Sequence, residues 1–307
     1  MGAQGFIGSH VVRAALAAGA DQVRAVCTGE PWRLADLADA RLAVGRVPGD
    51  RWWRQEDQAP FAGVIGGAEV TVILAYRPPE ARSGPGAVEH ELGTNAVGAL
   101  RVAETAAGLG QRVVFASSAD VYGRFHPSPV DERQVPAPAT AYAVAKLAAE
   151  HLVTSVAGRG SLLLRIATVF GPGENGPRAV PSFIRALLAG RPPVVHGAGD
   201  DVRDYVHVGD VAAAIVNGCV REEDGPAEVL NVGSGRERTT LGMLDAVAAA
   251  MGQSRPQPVH RPRSGSPSRL VLDSGAARKA LGLEPEDDLA GLLEDEVRWL
   301  RAHCRTP

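Results

Sequence analysis

The feature that most limits the fold is a rhythm. Strand-length apolar runs alternate with helix-length amphipathic segments through the first two-thirds of the chain. Gln22 to Cys27, Thr71 to Leu74, Arg112 to Ala116 and Ser161 to Arg165 read as strands, each a short apolar run bounded by turn residues. Between them, Ser9 to Ala18 (closed by Gly19), Glu89 to Leu109 (ended by Gly110) and Tyr142 to Val156 carry helical spacing. Helix-length crossovers return the chain to the same end of a sheet, so successive strands run parallel. The expected class is α/β, a doubly wound parallel sheet with helices on both faces.

Past Gly171-Pro-Gly-Glu-Asn-Gly-Pro177, a loop by composition, the pattern becomes mixed. A helix is expected near Pro181–Ala189, short strands around Val194 and Asp204–His207, and a helix from Val211. A strand should end at Asn231, Thr240 should cap a helix reaching Met251, and Leu289 to Arg301 should form a last amphipathic helix. The expected division is a larger region of residues 1–170, joined again by 204–230, and a smaller α/β region from 171–203 and 231–307.

Composition excludes several classes. A formal net charge of -3 is not the basic footprint of a nucleic-acid binder. Apolar runs such as Val70-Thr-Val-Ile-Leu-Ala-Tyr76 are too short to cross a bilayer. No charged leader precedes an apolar stretch, so a cytoplasmic setting is expected. Cys27, Cys219 and Cys304 are too scattered for a disulfide framework, and the 8 histidines show no ligand spacing, so no metal is expected.

Three glycines crowd the chain start: Gly2-Ala-Gln-Gly5-Phe6-Ile7-Gly8, directly before the first helix. Such a loop lets the backbone approach a pyrophosphate while the helix N-terminus offers free N–H groups and a positive dipole. These residues are expected to hold a dinucleotide, together with Leu74 and Ala75 after the second buried strand. A unit of this kind needs an apolar strand just before the glycines, and Met1 leaves no room for one. The first strand is therefore expected to be missing from this chain, at a cost to sheet pairing and cofactor affinity. The residue ending the next strand sorts cofactors, because an acid there binds the ribose hydroxyls of NAD and repels the extra phosphate of NADP. Here the strand runs into Cys27-Thr28-Gly29 with no acid, and Arg33 follows. That places NADP ahead of NAD, with Arg33 pairing the 2′-phosphate.

Tyr142 and Lys146 stand four residues apart, on one helical face. A free phenol has a pKa of about 10 and is a poor acid–base group near neutrality. A neighbouring ammonium, together with a positive nicotinamide ring, favours the phenolate and brings it toward the working range. Ser118 ends the strand-to-loop segment Val113–Gly123, where open α/β sheets place their ligands. Its hydroxyl can hydrogen-bond a reacting oxygen.

With these blocks the chain resembles the extended short-chain dehydrogenase/reductase family, the NAD-dependent epimerase/dehydratase group that modifies nucleotide sugars. The matching blocks also include Asn95-Ala-Val-Gly98, Leu164-Arg165 with Phe170-Gly-Pro-Gly173, Arg203–Val208 and Leu230–Gly235, in family order across nearly the whole chain. The resemblance implies a Rossmann-type fold with a smaller C-terminal substrate region, and Ser118, Tyr142 and Lys146 as the catalytic trio, Tyr142 and Lys146 also contacting the cofactor. It implies Asn95 beside the cofactor, Asp50 at the adenine, and Arg203 and Arg263 on the nucleotide diphosphate, as an arginine fork suits phosphate oxygens. Thr168 stands where the family often has Asn at the substrate. The 4,6-dehydratases carry Asp-Glu after the catalytic hydroxyl, whereas this chain has Ala119-Asp120, which argues against that reaction.

The expected substrate is a nucleotide-diphosphate sugar, oxidised or reduced at C4. A 4-ketoreductase using NADPH comes first, because no acid follows the second strand, and a 4-epimerase keeping NAD bound comes second. A non-catalytic dinucleotide-binding homologue and a dehydrogenase of a non-sugar alcohol come behind them. A homodimer is expected through Glu89–Leu109 and Tyr142–Val156, whose alanines permit close helix approach.

Overall fold

Strand pairing follows the crossover rule. The computed structural model describes residues 1–47, 52–54, 59–76, 87–127, 129–221, 225–263, 265–284 and 287–303. Its first elements are α1 (Phe6–Ala17), β1 (Val23–Cys27), β2 (Leu42–Arg46), α2 (Ala59–Ile65), β3 (Val70–Ile73) and α3 (Ala87–Leu92). Next come α4 (Gly98–Gly108), β4 (Arg112–Ser118), α5 (Ala141–Val156), β5 (Leu162–Ile166), β6 (Thr168–Phe170), α6 (Ala179–Leu188) and β7 (Val194–His196). The rest are β8 (Val202–His207), α7 (Val208–Val220), β9 (Glu228–Val232), β10 (Glu237–Thr239), α8 (Thr240–Ala250), β11 (Val259–Arg261), β12 (Arg269–Leu270), α9 (Gly275–Leu281) and α10 (Leu289–His303).

The main sheet is parallel in the order β3–β4–β5–β9, with Ile73 beside Phe115, Ser118 beside Ile166 and Leu164 beside Leu230. β1 and β2 form a separate parallel pair. Residues Met1–Ala3 join the two. The Gly2 and Ala3 amides donate to the Val26 carbonyl at 2.9 and 3.2 Å, and Met1 accepts from Leu74 at 2.9 Å. The Met1 nitrogen donates to the Val72 carbonyl at 2.7 Å. The lane where the glycine loop's own strand was expected to be missing thus carries these three residues.

Alternation along β4 and β5 divides the interior between the two sheet faces. Val113, Phe115 and Leu163 pack under Val102, Ala106, Ala149 and Val153 of α4 and α5. Val114, Leu162 and Leu164 pack under Val11 of α1 and Val211 and Ile215 of α7. Each fully buried Val, Leu or Phe side chain contributes roughly 1.5–3 kcal/mol. This is a Rossmann-type α/β fold.

A third core lies in the C-terminal half, where Phe183, Ile184, Met243, Leu244, Leu293 and Val297 join α6, α8 and α10. Beside it, β8 is flanked by antiparallel β10 and parallel β12 and also pairs β6, while β11 pairs β7.

Three local expectations are corrected. The segment expected as one helix over Glu89–Leu109 is α3, a π-helical stretch Gly93–Val97, then α4; residue spacing alone cannot reveal such a widened turn. Thr239 rather than Thr240 caps α8, its hydroxyl accepting from Gly242 N at 2.9 Å. α7 starts at Val208, three residues before Val211, because His207 Nδ1 accepts from Gly209 N at 3.2 Å and caps it there. Among the described residues, no helix is long and apolar enough to cross a membrane.

Candidate active site

A cavity of about 760 Å³ opens at the C-terminal ends of the parallel strands and is closed on one side by the loop between β6 and α6. Gly2, Gly5, Phe6, Ile7 and Gly8 form one end of it. Gly2 has φ +94, and a Cβ there would stand 2.9 Å from Ala75 N. At Gly8 a Cβ would stand 2.2 Å from the Gly2 carbonyl oxygen, so only glycine lets α1 meet the loop this closely. Gly5 is the N-cap of α1 and offers no side-chain cap, and the first turn holds no acid, leaving its N–H groups open to an anion. Nearby, Gln4 Oε1 and Arg33 Nε are buried without a partner among the described residues. The bare helix end, the close backbone and the orphaned Gln4 acceptor have the chemistry to hold a dinucleotide, whose pyrophosphate needs open N–H groups and whose hydroxyls need an acceptor. Leu74 and Ala75 complete this wall.

Arg33 lines the cavity, and its two Nη groups are engaged while Nε has no partner among the described residues. They reach Gln4 O at 3.2 Å, Gly173 O at 3.0 Å and Asn175 Oδ1 at 3.0 Å, and the guanidinium lies over Trp32. It ties the glycine loop to the β6–α6 loop instead of standing open at the tip of β1. There, Thr28 accepts from Gln4 Nε2 at 2.9 Å.

Tyr142, Lys146 and Ser118 converge on the cavity from two elements. Thr140 caps α5, accepting from Ala143 N at 3.1 Å, and the helical period then places Tyr142 and Lys146 on one face. The Ser118 hydroxyl ends β4, accepts from Asp120 N at 3.2 Å and stands near enough to the Tyr142 phenol to draw its pKa down. Lys146 is 2% exposed, donates to the Ala116 carbonyl at 2.8 Å and lies over the Phe115 ring. Burial depresses its pKa to about 8, against the opposing pull of Glu150. Burial, and then Tyr76, push the Tyr142 phenol well above the ordinary range, while Ser118 and Arg178 pull the other way. The protein alone therefore holds this phenol protonated.

Sequence reasoning missed the neighbours on the other side of Tyr142. The Tyr76 ring stands edge-on to it, 5.2 Å between centroids, and burial pushes the Tyr76 phenol up while the nearby Arg178 charge pulls it down. Arg178 Nε is 3.2 Å from Glu174 Oε1. Burial raises the Glu174 carboxyl to about 7, against Arg178 and Arg185. Tyr76 could have been found from its place just past the end of β3, where such sheets bind ligands. Glu174 and Arg178 lie in a loop whose path no local pattern specifies.

Thr168 and Arg203 line the same cavity. Next to Arg203, the buried Asp204 carboxylate accepts from Ser234 N and Oγ, Gly235 N and Leu272 N at 2.7–3.2 Å, pinning β8 to its surroundings. Arg263 does not join the lining: Asp200 and Asp201 hold its guanidinium at 2.7 and 2.9 Å. Asn95 is fully buried in the π-helical stretch, and its neighbour Thr94 takes the place on the wall. Asp50 lies outside the described residues. Among the described residues, no group of three or more His, Cys, Asp or Glu is placed to hold a metal.

Residues 1–233 match the family model described as the NAD dependent epimerase/dehydratase family. The chain is similar to a UDP-glucose 4-epimerase of Mycolicibacterium smegmatis, 32% identical over 324 residues, covering 98% of this chain and 97% of the relative. It also resembles the solved structure of MoeE5 in complex with UDP-glucuronic acid and NAD, at 29% identity and TM-score 0.82, with 98% of both chains covered. DesIV, a dTDP-glucose 4,6-dehydratase from Streptomyces venezuelae with NAD and TYD bound, superposes with TM-score 0.86 at 26% identity, over 98% of this chain and 96% of that one.

Proposed function

This chain belongs to the NAD dependent epimerase/dehydratase family, and on that premise we propose that it performs reversible redox at C4 of a nucleotide-diphosphate hexose, as a 4-epimerase using NAD. The observation that carries this reading is the meeting of Ser118, Tyr142 and Lys146 in a cavity whose other end is a glycine cradle. Bound nicotinamide would supply the hydride acceptor and donor. Tyr142 exchanges the proton of the C4 hydroxyl, and Ser118 hydrogen-bonds the same oxygen. Lys146, as an ammonium below about 8, favours the phenolate that this exchange requires. Arg203 holds the diphosphate, leaving the hexose free to present either face at C4.

Two observations support NAD: the Arg33 guanidinium is engaged by backbone carbonyls, and the orphaned Gln4 acceptor suits ribose hydroxyls. A second reading, a 4-ketoreductase using NADPH, is favoured by the absence of an acid where β1 ends at Cys27-Thr28. In both readings residues 1–170 and 204–230 serve the cofactor, 171–203 and 231–307 serve the nucleotide sugar, and α4 and α5 pair with those of a second copy.

The test is to purify the protein, release and identify any retained dinucleotide, and incubate it with UDP- and dTDP-hexoses. Retained NAD with interconversion at C4 and no added cofactor supports the epimerase. Consumption of added NADPH with a 4-keto sugar supports the reductase. Neither activity, with both sugar classes unbound, contradicts both.

A further inference from the structure

Behind the strand end that carries Ser118 lies an ion pair that none of the steps above uses. Glu150 follows Lys146 by one turn of α5 and is 4% exposed; Arg165 on β5 is 6% exposed. The guanidinium grips the carboxylate with Nε at 3.0 Å from Oε1 and Nη2 at 2.7 Å from Oε2. Ser117 Oγ donates to Glu150 Oε1 at 2.5 Å. Arg165 also lies 4.8 Å from the Tyr122 ring centre, and the Tyr122 hydroxyl donates to Asn231 Oδ1 at 2.8 Å.

Three successive residues of β4 are therefore held by groups around the site. Lys146 grips the Ala116 carbonyl, Glu150 grips the Ser117 hydroxyl, and Ser118 meets Tyr142. For the fold alone, the pair is a poor investment, since desolvating two charges offsets their attraction and apolar side chains of similar size often stabilise as well or better. What apolar side chains could not supply is a negative potential beside a buried ammonium. The groups facing Lys146 are Tyr142 and Glu150 on its own helix and the Phe115 ring and Ala116 carbonyl on β4, with Arg165 of β5 behind Glu150.

We propose that Glu150, clamped by Arg165 and Ser117, is a positioning residue that keeps the Lys146 ammonium charged and fixes the strand end presenting Ser118 to Tyr142. The proposal rests on the Tyr142–Lys146 reading of the site. Burial alone drives Lys146 toward the neutral amine, and Glu150 opposes that drive.

Competitive acetylation of Lys146 across a pH series, read by peptide mass, reports its titration with neither sugar nor dinucleotide present. The parent midpoint is expected near 8. In Glu150→Gln it should fall by about one pH unit, the basic limb of kcat should move down with it, and KM should change little. Glu150→Asp should restore most of both. Because Glu150→Gln strands a buried guanidinium, the double variant Glu150→Met/Arg165→Met removes both charges, and it should melt no lower than the parent yet keep the lowered midpoint. A folded double variant with the parent's midpoint and kcat profile, or a double variant that cannot fold, overturns the proposal. A lowered midpoint in a protein that turns over no nucleotide sugar breaks the substrate reading and supports the effect on Lys146.

Discussion

At the glycine-loop end of the cavity the wall is main chain. Gly2 takes a φ of +94, Gly8 lets α1 pack within a Cβ's reach of the loop, and the helix end carries no side-chain cap. Along the loop after β6, the wall is held by long side chains instead, those of His10 and Arg33 reaching across from the glycine-loop side. His10 Nε2 lies 2.7 Å from Pro172 O, Arg33 reaches Gly173 and Asn175, and Arg185 donates to Asn175 O at 3.3 Å and Gly176 O at 2.6 Å. The first wall is fixed by what cannot fit, the second by contacts that can be released one at a time. In the proposed function the rigid wall would take the cofactor, and the adjustable loop would bear on the choice of sugar.

That contrast can be broken experimentally. The largest effect is expected between the two walls: Lys146→Met should cost about 10²–10⁴ in kcat, measured in steady state. Gly8→Ala should follow, because its Cβ would meet backbone at 2.2 Å. Loss of retained dinucleotide and about 3 kcal/mol of stability should appear in extraction and denaturant titration. If Gly8→Ala keeps its dinucleotide, the wall described as rigid can yield.

On the adjustable loop, Glu174 gives a pH signature. Its folded pKa of about 7 lies above the ordinary 4.5, so the stability tied to its proton is complete below 4.5 and is lost as pH rises through 7. Glu174→Gln should flatten the stability profile over that window by on the order of 2 kcal/mol, read from melting at pH 5 and pH 8. The smallest effect is expected for Arg33→Ala, which loosens one tether. KM for the sugar should rise by about fivefold in initial-rate assays, and coenzyme preference should shift by less than that. A large swing in preference between NAD and NADP would place Arg33 at the cofactor after all.

The same contrast explains what the sequence made legible. Glycine spacing, the Tyr142–Lys146 period and the apolar runs of β3, β4 and β5 are local consequences of φ, helical repeat and strand burial, and each reads directly from neighbouring residues. The partners of Tyr142 across the cavity are not local. Tyr76 follows β3, while Glu174 and Arg178 arrive by a loop whose course depends on His10, Arg33 and Arg185. Arg263 shows the converse: it pairs with Asp200 and Asp201 away from the cavity lining, an arrangement visible only once the chain is folded. The π-helical stretch at Gly93–Val97 was hidden for another reason, since one widened turn leaves helical spacing on both sides intact.

Incubating the parent and Tyr142→Phe with UDP- and dTDP-hexoses deuterated at C4, and following the label by NMR, tests the proposed chemistry most directly. The expected result is that the parent inverts C4 of at least one sugar with deuterium retained there, and that Tyr142→Phe is slowed by about 10²–10⁴. Turnover of the same sugar by Tyr142→Phe at the parent's rate would contradict it.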